Sequence, residues 1–248
     1  MAGEWQRAER QRAKHTRWAR RVFQKALMMQ FVAFDSKWSQ VSQLAQMTQN
    51  TNVPSSPVAD AMNEVYLRVG YDFATLTDKE LKSTMPYRTK DYTESAFNEY
   101  MSAWLATNAG ARIDGITSYT QQLIQTILGR AVEQGLSIDK AQAMIREEFT
   151  AMSRMRAERI ARTEIVGASN RGSLISAQST GLTLNKEWIA TLDPLRTRDT
   201  HMEADGQTVP LMGKFIVGGV EMDTPGDMSA PADEVVNCRC SIRFVRPK

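Results

Sequence analysis

The chain has 248 residues, of which 42% are hydrophobic and 24% charged, with a formal net charge of +3, 2 cysteines and 2 histidines. That length is enough to bury a real core in one large or two smaller domains. No run of about eighteen apolar residues occurs, which argues against a transmembrane helix. The basic N-terminus lacks the apolar stretch of a signal peptide, and the cysteine count fits a reducing compartment.

The charge is unevenly placed. Residues 1–25 hold eight basic side chains (Arg7, Arg10, Arg12, Lys14, Arg17, Arg20, Arg21, Lys25) against Glu4 and Glu9, a local charge of +6 that leaves −3 for the remainder. Such a segment is either a solvated helix face or a basic arm that meets something acidic, DNA or a protein partner. From Trp18 onward, Leu27, Phe31, Phe34, Trp38, Val41 and Ala45 alternate at spacings of four and three, which predicts one face of a long basic amphipathic helix. That seam is covered by the following helices or by a separate partner. "NTNVPSSP" (Asn50–Pro57) then ends the pattern.

Residues 58–150 read as helical throughout. Thr77–Glu80 has capping-box spacing. Phe97, Met101, Trp104 and Leu105 share a side, and a further helix is expected over Arg112–Glu133, stopping at Gly135. Ser137 can cap its successor. No catalytic constellation appears here, so this region is scaffold.

Beyond it the character changes. Residues 156–181 predict one more helix, ending near Gly181. "LNKEWIATL" predicts a strand centred on Trp188, and "KFIVGGVEM" two short strands around Gly218-Gly219. The last predicted strand is "VVNCRCSIRF", which carries Cys238 and Cys240 on one face. The expected fold class is α+β: a mostly α-helical N-terminal two-thirds, then a small C-terminal α+β module. The expected divisions are a helical arm over 1–53, a helical region over 54–153 and the module over 154–248.

Within the module, His201, Cys238 and Cys240 could supply three zinc ligands, with water, Asp199 or Asp205 as the fourth. The competing reading is a satisfied histidine and two buried thiols. A zinc hydrolase or nucleobase deaminase would use His201, Glu203, Cys238 and Cys240. The chain departs from that pattern, because the thiols are spaced CxC and Asn237 stands where proline is needed. No serine elbow and no phosphate-cradling loop is present, so no catalytic residue is assigned. Arg162 and Glu164 lie about 200° apart around their helix, so one faces inward. With Asn170, Asp193, Arg196, Arg198 and Asn237 they are expected to form a structural polar cluster.

The order of these residues carries a resemblance. "ARTE" (Ala161–Glu164) with Asn170 after it, then Trp188, Asp193, "RTR" (Arg196–Arg198), His201 and Asp205-Gly206, then "NCRC" (Asn237–Cys240), resembles the Mu F-like head-morphogenesis family of tailed bacteriophages, the minor head proteins. The likeness covers roughly Arg154–Arg243 and departs at "APADEVV", where family members often carry a proline-rich approach. It implies assembly, not turnover. It implies a virion component at the portal vertex, present in host cytoplasm during assembly. Its implied partners are the portal protein, major capsid or scaffolding protein, and packaged DNA.

Overall fold

The structure, a computed structural model, describes residues 2–85, 87, 93–191, 193 and 195–247, with side chains from Trp5 onward. A single helix, α1, runs over Ala2–Asp35. Ala19, Phe23, Ala26, Leu27, Phe31 and Phe34 recur at helical spacing along it and all are buried. The expected continuation to Ala45 does not hold. A 3-10 turn, Ser36–Gln40, and a short helix α2, Leu44–Thr48, replace it. Trp38 stays buried, while Val41 is half-buried and Ala45 exposed. The chain itself covers the aromatic seam: Phe31 stacks on Phe149 with ring centres 4.7 Å apart. Phe34 and Trp38 join Ile124, Ile127, Leu128 and Ile145 in the same cluster.

The next helix, α3, spans Ser56–Thr84 and begins with Pro57 in its first turn, where the missing N–H is harmless. Thr77–Glu80 lies inside α3, not at a helix start. Phe73, Ala74 and Leu81 stay buried across it, so the helical period never breaks and the capping-box reading is corrected. Helix α4, Glu94–Asn108, is capped by Thr93, whose side chain accepts from Ala96 N at 3.2 Å. Helix α5 covers Gly110–Glu133, close to expectation, and ends on Gly135 in a left-handed conformation.

Ser137 caps α6, accepting from Lys140 N, and α6 then runs unbroken over Ile138–Ser179. The two helices expected on either side of residue 150 are therefore one, of 42 residues, about 63 Å long. Its second half is buried on all sides and built largely of small residues, among them Ala161, Gly167, Ala168, Ser169, Gly172, Ser173 and Ala177. Small side chains let neighbouring backbones approach from every direction. The closest approach is Gly172 against Gly70 of α3, where an added Cβ would stand 2.1 Å from the Gly70 carbonyl oxygen.

The remaining chain forms two small antiparallel sheets. Strand β1, Asn185–Ile189, is central between β2, Thr208–Pro210, and β5, Ser241–Val245. Strands β3, Phe215–Val217, and β4, Val220–Met222, form a hairpin turning on Gly218-Gly219, both at positive φ. Short helices α7, Asp199–Glu203, and α8, Ala232–Val235, sit in the connections. Glu187 faces Arg243 directly across β1 and β5, and the pair is joined by two hydrogen bonds of 2.7 and 3.1 Å.

Lys186 turns to the other face, beside Trp188, and is 1% exposed. Its Nζ donates to the Asp223 carbonyl at 2.7 Å and lies 5.3 Å from the Phe215 ring centre. Burial pushes its pKa down to about 8. Between that value and the ordinary 10.5 the unfolded chain binds the extra proton, so stability should rise with pH across this window. Below it the charge is present in both states and its cost is undiminished. Urea titrations from neutral pH to above 10 should therefore show the wild type gaining on Lys186→Met; a pH-independent gap between the two would overturn this assignment.

Candidate metal centre

Sequence places Cys238 and Cys240 one residue apart, and a turn aims both inward. Asn237 has φ +58, the one non-glycine residue in that region among those described, and Cys238 N bonds to Val235 O at 3.1 Å. The cysteines therefore precede β5 instead of lying within it, which corrects the expected strand. Both sulfurs are buried in the cluster that contains Trp188, Phe215, Val217 and Val235.

His201 projects from α7 into the same cluster and is 2% exposed. Its ring meets Trp188 edge-on, with centres 5.5 Å apart. Nδ1 lies 3.7 Å from Cys238 Sγ and 3.4 Å from Cys240 Sγ, and Nε2 lies 3.0 Å from Glu234 Oε2. One ring nitrogen thus addresses the two sulfurs while a carboxylate fixes the other, the arrangement that orients a metal-ligating imidazole.

The electrostatics single out Cys238 among the three. Cys238 is held well below the ordinary thiol range, mainly by a hydrogen bond from Cys240 and then by His201, against the opposing effect of burial. Cys240 is pushed up by the same hydrogen bond and by burial. For His201 burial acts downward, but the Cys238 hydrogen bond and charge outweigh it and the net direction is up. A thiolate is the metal-binding form of cysteine.

These residues fit a zinc-type ion. The three ligand atoms all lie within 4.8 Å of one another. Tetrahedral zinc with ordinary bond lengths separates a sulfur from a nitrogen ligand by about 3.6 Å, and the two observed separations, 3.4 and 3.7 Å, bracket that value. A tetrahedral ion would take its fourth ligand from outside this set. Neither carboxylate proposed from sequence supplies it: Asp199 is exposed, and Asp205 is engaged, its Oδ1 accepting from Ala190 N at 2.8 Å.

The expected polar cluster divides. Asn170 is its hub, donating to the carbonyls of Pro225 at 2.9 Å and Cys240 at 3.1 Å while Oδ1 accepts from Arg12. Arg198 donates to the Val236 carbonyl at 2.7 Å, and Asn237 N to Thr163 Oγ1 at 3.1 Å. Glu164 faces inward on another side of α6. It accepts from Tyr66 at 3.2 Å and from Arg112 at 3.3 Å, and burial raises its pKa. Arg162 and Arg196 are exposed, and Asp193 makes a local turn with Leu195 N, so these three do not join the hub. Tertiary packing, with Tyr66 and Arg112 waiting on the far side of α6, explains why Glu164 left the group.

Two participants are not marked by the sequence as neighbours of these residues. Glu234 lies in the segment that departs from the family pattern, four residues before Cys238. Arg12, counted as a solvent-facing arm cation, is 4% exposed. Its Nε, Nη1 and Nη2 donate to Ser169 Oγ, the Arg239 carbonyl and Asn170 Oδ1. That is a correction: Arg12 is anchored inside the fold instead of standing on the exposed face of α1. The deaminase assignment fails on position as well, because Glu203 is exposed while its neighbour two residues back, His201, is buried.

A family model described as Phage Mu protein F like protein matches residues 122–243. Over these residues, about half of its length, the chain belongs to this family. The Mu F-like match opens within α5, earlier than the motif residues suggested, and takes in all of α6 and the sheets up to β5. Phage Mu F-like proteins are structural components of head morphogenesis rather than enzymes. No curated protein and no solved structure matches the chain. No helix among the described residues is long and apolar enough to cross a membrane.

Proposed function

We propose that this Mu F-like chain serves as a minor head protein at the portal vertex of a tailed phage, held together by its Cys238–Cys240–His201 knot and touching packaged DNA through α1. The family match over residues 122–243 carries the assembly role. In this reading residues 1–53 are the arm, 54–153 the helical platform and 154–248 the module, with portal protein, major capsid or scaffolding protein as neighbours.

The DNA-binding role is supported by the outer face of α1. Arg7, Arg10, Lys14, Arg17, Arg21 and Lys25 are all exposed and follow one another at steps of three and four. They form a single stripe about 27 Å long. Arg20 is half-buried and stands apart from it. Six cations in a row, with no base-reading motif, suit sequence-independent phosphate binding.

Deleting residues 1–25 is a poor test, because Ala19 and Phe23 belong to the core. Replacing Arg10, Lys14, Arg17 and Arg21 by glutamine leaves that core intact. For every phosphate that the stripe no longer neutralises, the dependence of log K on log salt should flatten by about 0.9. Duplex-DNA binding measured across a salt series should show this for the fourfold variant, together with weaker incorporation into heads. An unaltered slope would remove the stripe from the reading while leaving the assembly role standing.

A further inference from the structure

Between α1 and the C-terminal module lies a cleft of about 480 Å³ whose lining includes Arg12, Arg162, Arg196 and Arg239, with Glu9 as its one carboxylate. The four guanidinium groups come from four separate places: α1, α6, the loop after β1 and the turn before β5. Nothing in local sequence requires them to meet.

Their charges are only partly offset within the fold, by Glu9 and by the neighbouring Cys238 acting on Arg12. Arg12, buried at the base, gives three N–H groups to neutral acceptors, Ser169, Asn170 and the Arg239 carbonyl. A guanidinium has five, so two remain. No carboxylate pairs with Arg12 or Arg239 among the described residues. Arg162 and Arg196 reach only carboxylates of their own segments, Glu158 at 3.8 Å and Asp193 at 3.7 Å, and both arginines are more than half exposed. Exposed pairs at that distance contribute little. The cleft is thus an under-neutralised concentration of forked donors, the chemistry that suits a tetrahedral oxyanion.

We propose that this cleft binds a phosphate group. Its volume admits a phosphate with an attached sugar. On its α1 wall, Glu9, Ala13 and Thr16 are each followed in sequence by an exposed cation, Arg10, Lys14 and Arg17, about 100° further round the helix. A nucleic-acid strand lying on the stripe could place one backbone phosphate in the cleft. Only this source of the phosphate rests on the DNA reading above; the site itself does not.

The test is thermal unfolding of the full chain in sodium phosphate against sodium chloride at matched ionic strength, paired with fluorescence anisotropy of a labelled oligothymidylate. Phosphate should raise the melting temperature of the wild type and of a Lys79→Ala/Lys140→Ala control. It should have no such effect on Arg162→Ala/Arg196→Ala/Arg239→Ala. The double variant Arg162→Ala/Arg196→Ala, altered only at exposed positions, should lose most of the effect and guards against misfolding. If the cleft variants also lose about tenfold in oligothymidylate affinity, the bound phosphate is that of a nucleic acid. If they keep it, the site serves a free phosphate or a mononucleotide. No phosphate effect beyond chloride in the wild type, or an equal effect in the cleft variants, overturns the proposal. Heads assembled without this chain would instead sink the assembly role and leave the phosphate result untouched.

Discussion

Replacing Cys238 by serine should abolish stoichiometric zinc binding and erase the difference in melting temperature between zinc-loaded and chelator-treated protein. The wild type offers a thiolate-prone Cys238, the Cys240 sulfur and an imidazole already oriented by Glu234. A ligand present at a hundred times its dissociation constant stabilises the fold by about 2.7 kcal/mol. For a chain of this size that corresponds to roughly 5–11 °C. Because the module has its own apolar core around Trp188 and Phe215, chelation should soften it without unfolding it outright, unlike a zinc finger. Glu234→Gln keeps all three ligands and removes only the orienting charge. It should bind one zinc per chain when saturated, with affinity reduced about 10–100-fold. Elemental analysis after zinc loading and gel filtration decides the matter: equal zinc in wild type and Cys238→Ser, or none in either, would leave these residues as two buried thiols and a hydrogen-bonded histidine.

A larger loss of stability is expected from Gly172→Ala. The new methyl would sit 2.1 Å from the Gly70 oxygen, 2.6 Å from its carbonyl carbon and 2.7 Å from its Cα. All three are main-chain atoms, so no side chain can swing aside, and α3 and α6 must move apart by about 1 Å along the interface that holds the main core. Overpacking of side chains alone costs about 1–3 kcal/mol, and a backbone clash lies at or beyond the upper end. The same exchange at Gly129 of α5, where an added Cβ meets nothing within 4 Å, should stabilise by about 0.5–1 kcal/mol through helix propensity. Denaturant melts of the two variants should therefore move in opposite directions. A Gly172→Ala protein as stable as the wild type would mean that the two helices do not cross at these glycines.

Much of this architecture was readable in advance, for definite reasons. Apolar periodicity marked α1, α4 and α5, and Ser137 and Gly135 marked their neighbours' ends, because these signals are local. The hairpin at Gly218-Gly219 was legible because its turn needs positive φ. The fusion of two predicted helices into α6 was not, since its small residues give weak periodicity and its burial comes from elements distant in sequence. The candidate metal ligands stand out by rarity, but Glu234 does not, since one acid among many acquires its role only when α8 lifts it to His201. Arg12 carries a signal in the sequence. The helical interval followed backwards from Leu27 passes through Phe23, Ala19 and His15 to Arg12, all of them buried; the charge count concealed a position that the periodicity marked as inward.

The bond from Arg12 to the Arg239 carbonyl, 2.9 Å long, joins positions 227 residues apart. During translation the first of these leaves the ribosome long before the second is made, roughly 11–45 s at ordinary elongation rates. For most of that interval the guanidinium has none of its native acceptors, and α1 can settle only on α3, where Phe73 and Asp72 meet Arg12 and His15. Newly made chains are thus exposed at their leading segment, and a chaperone or a neighbouring nascent copy has its best opportunity there before the tail arrives to seal the joint.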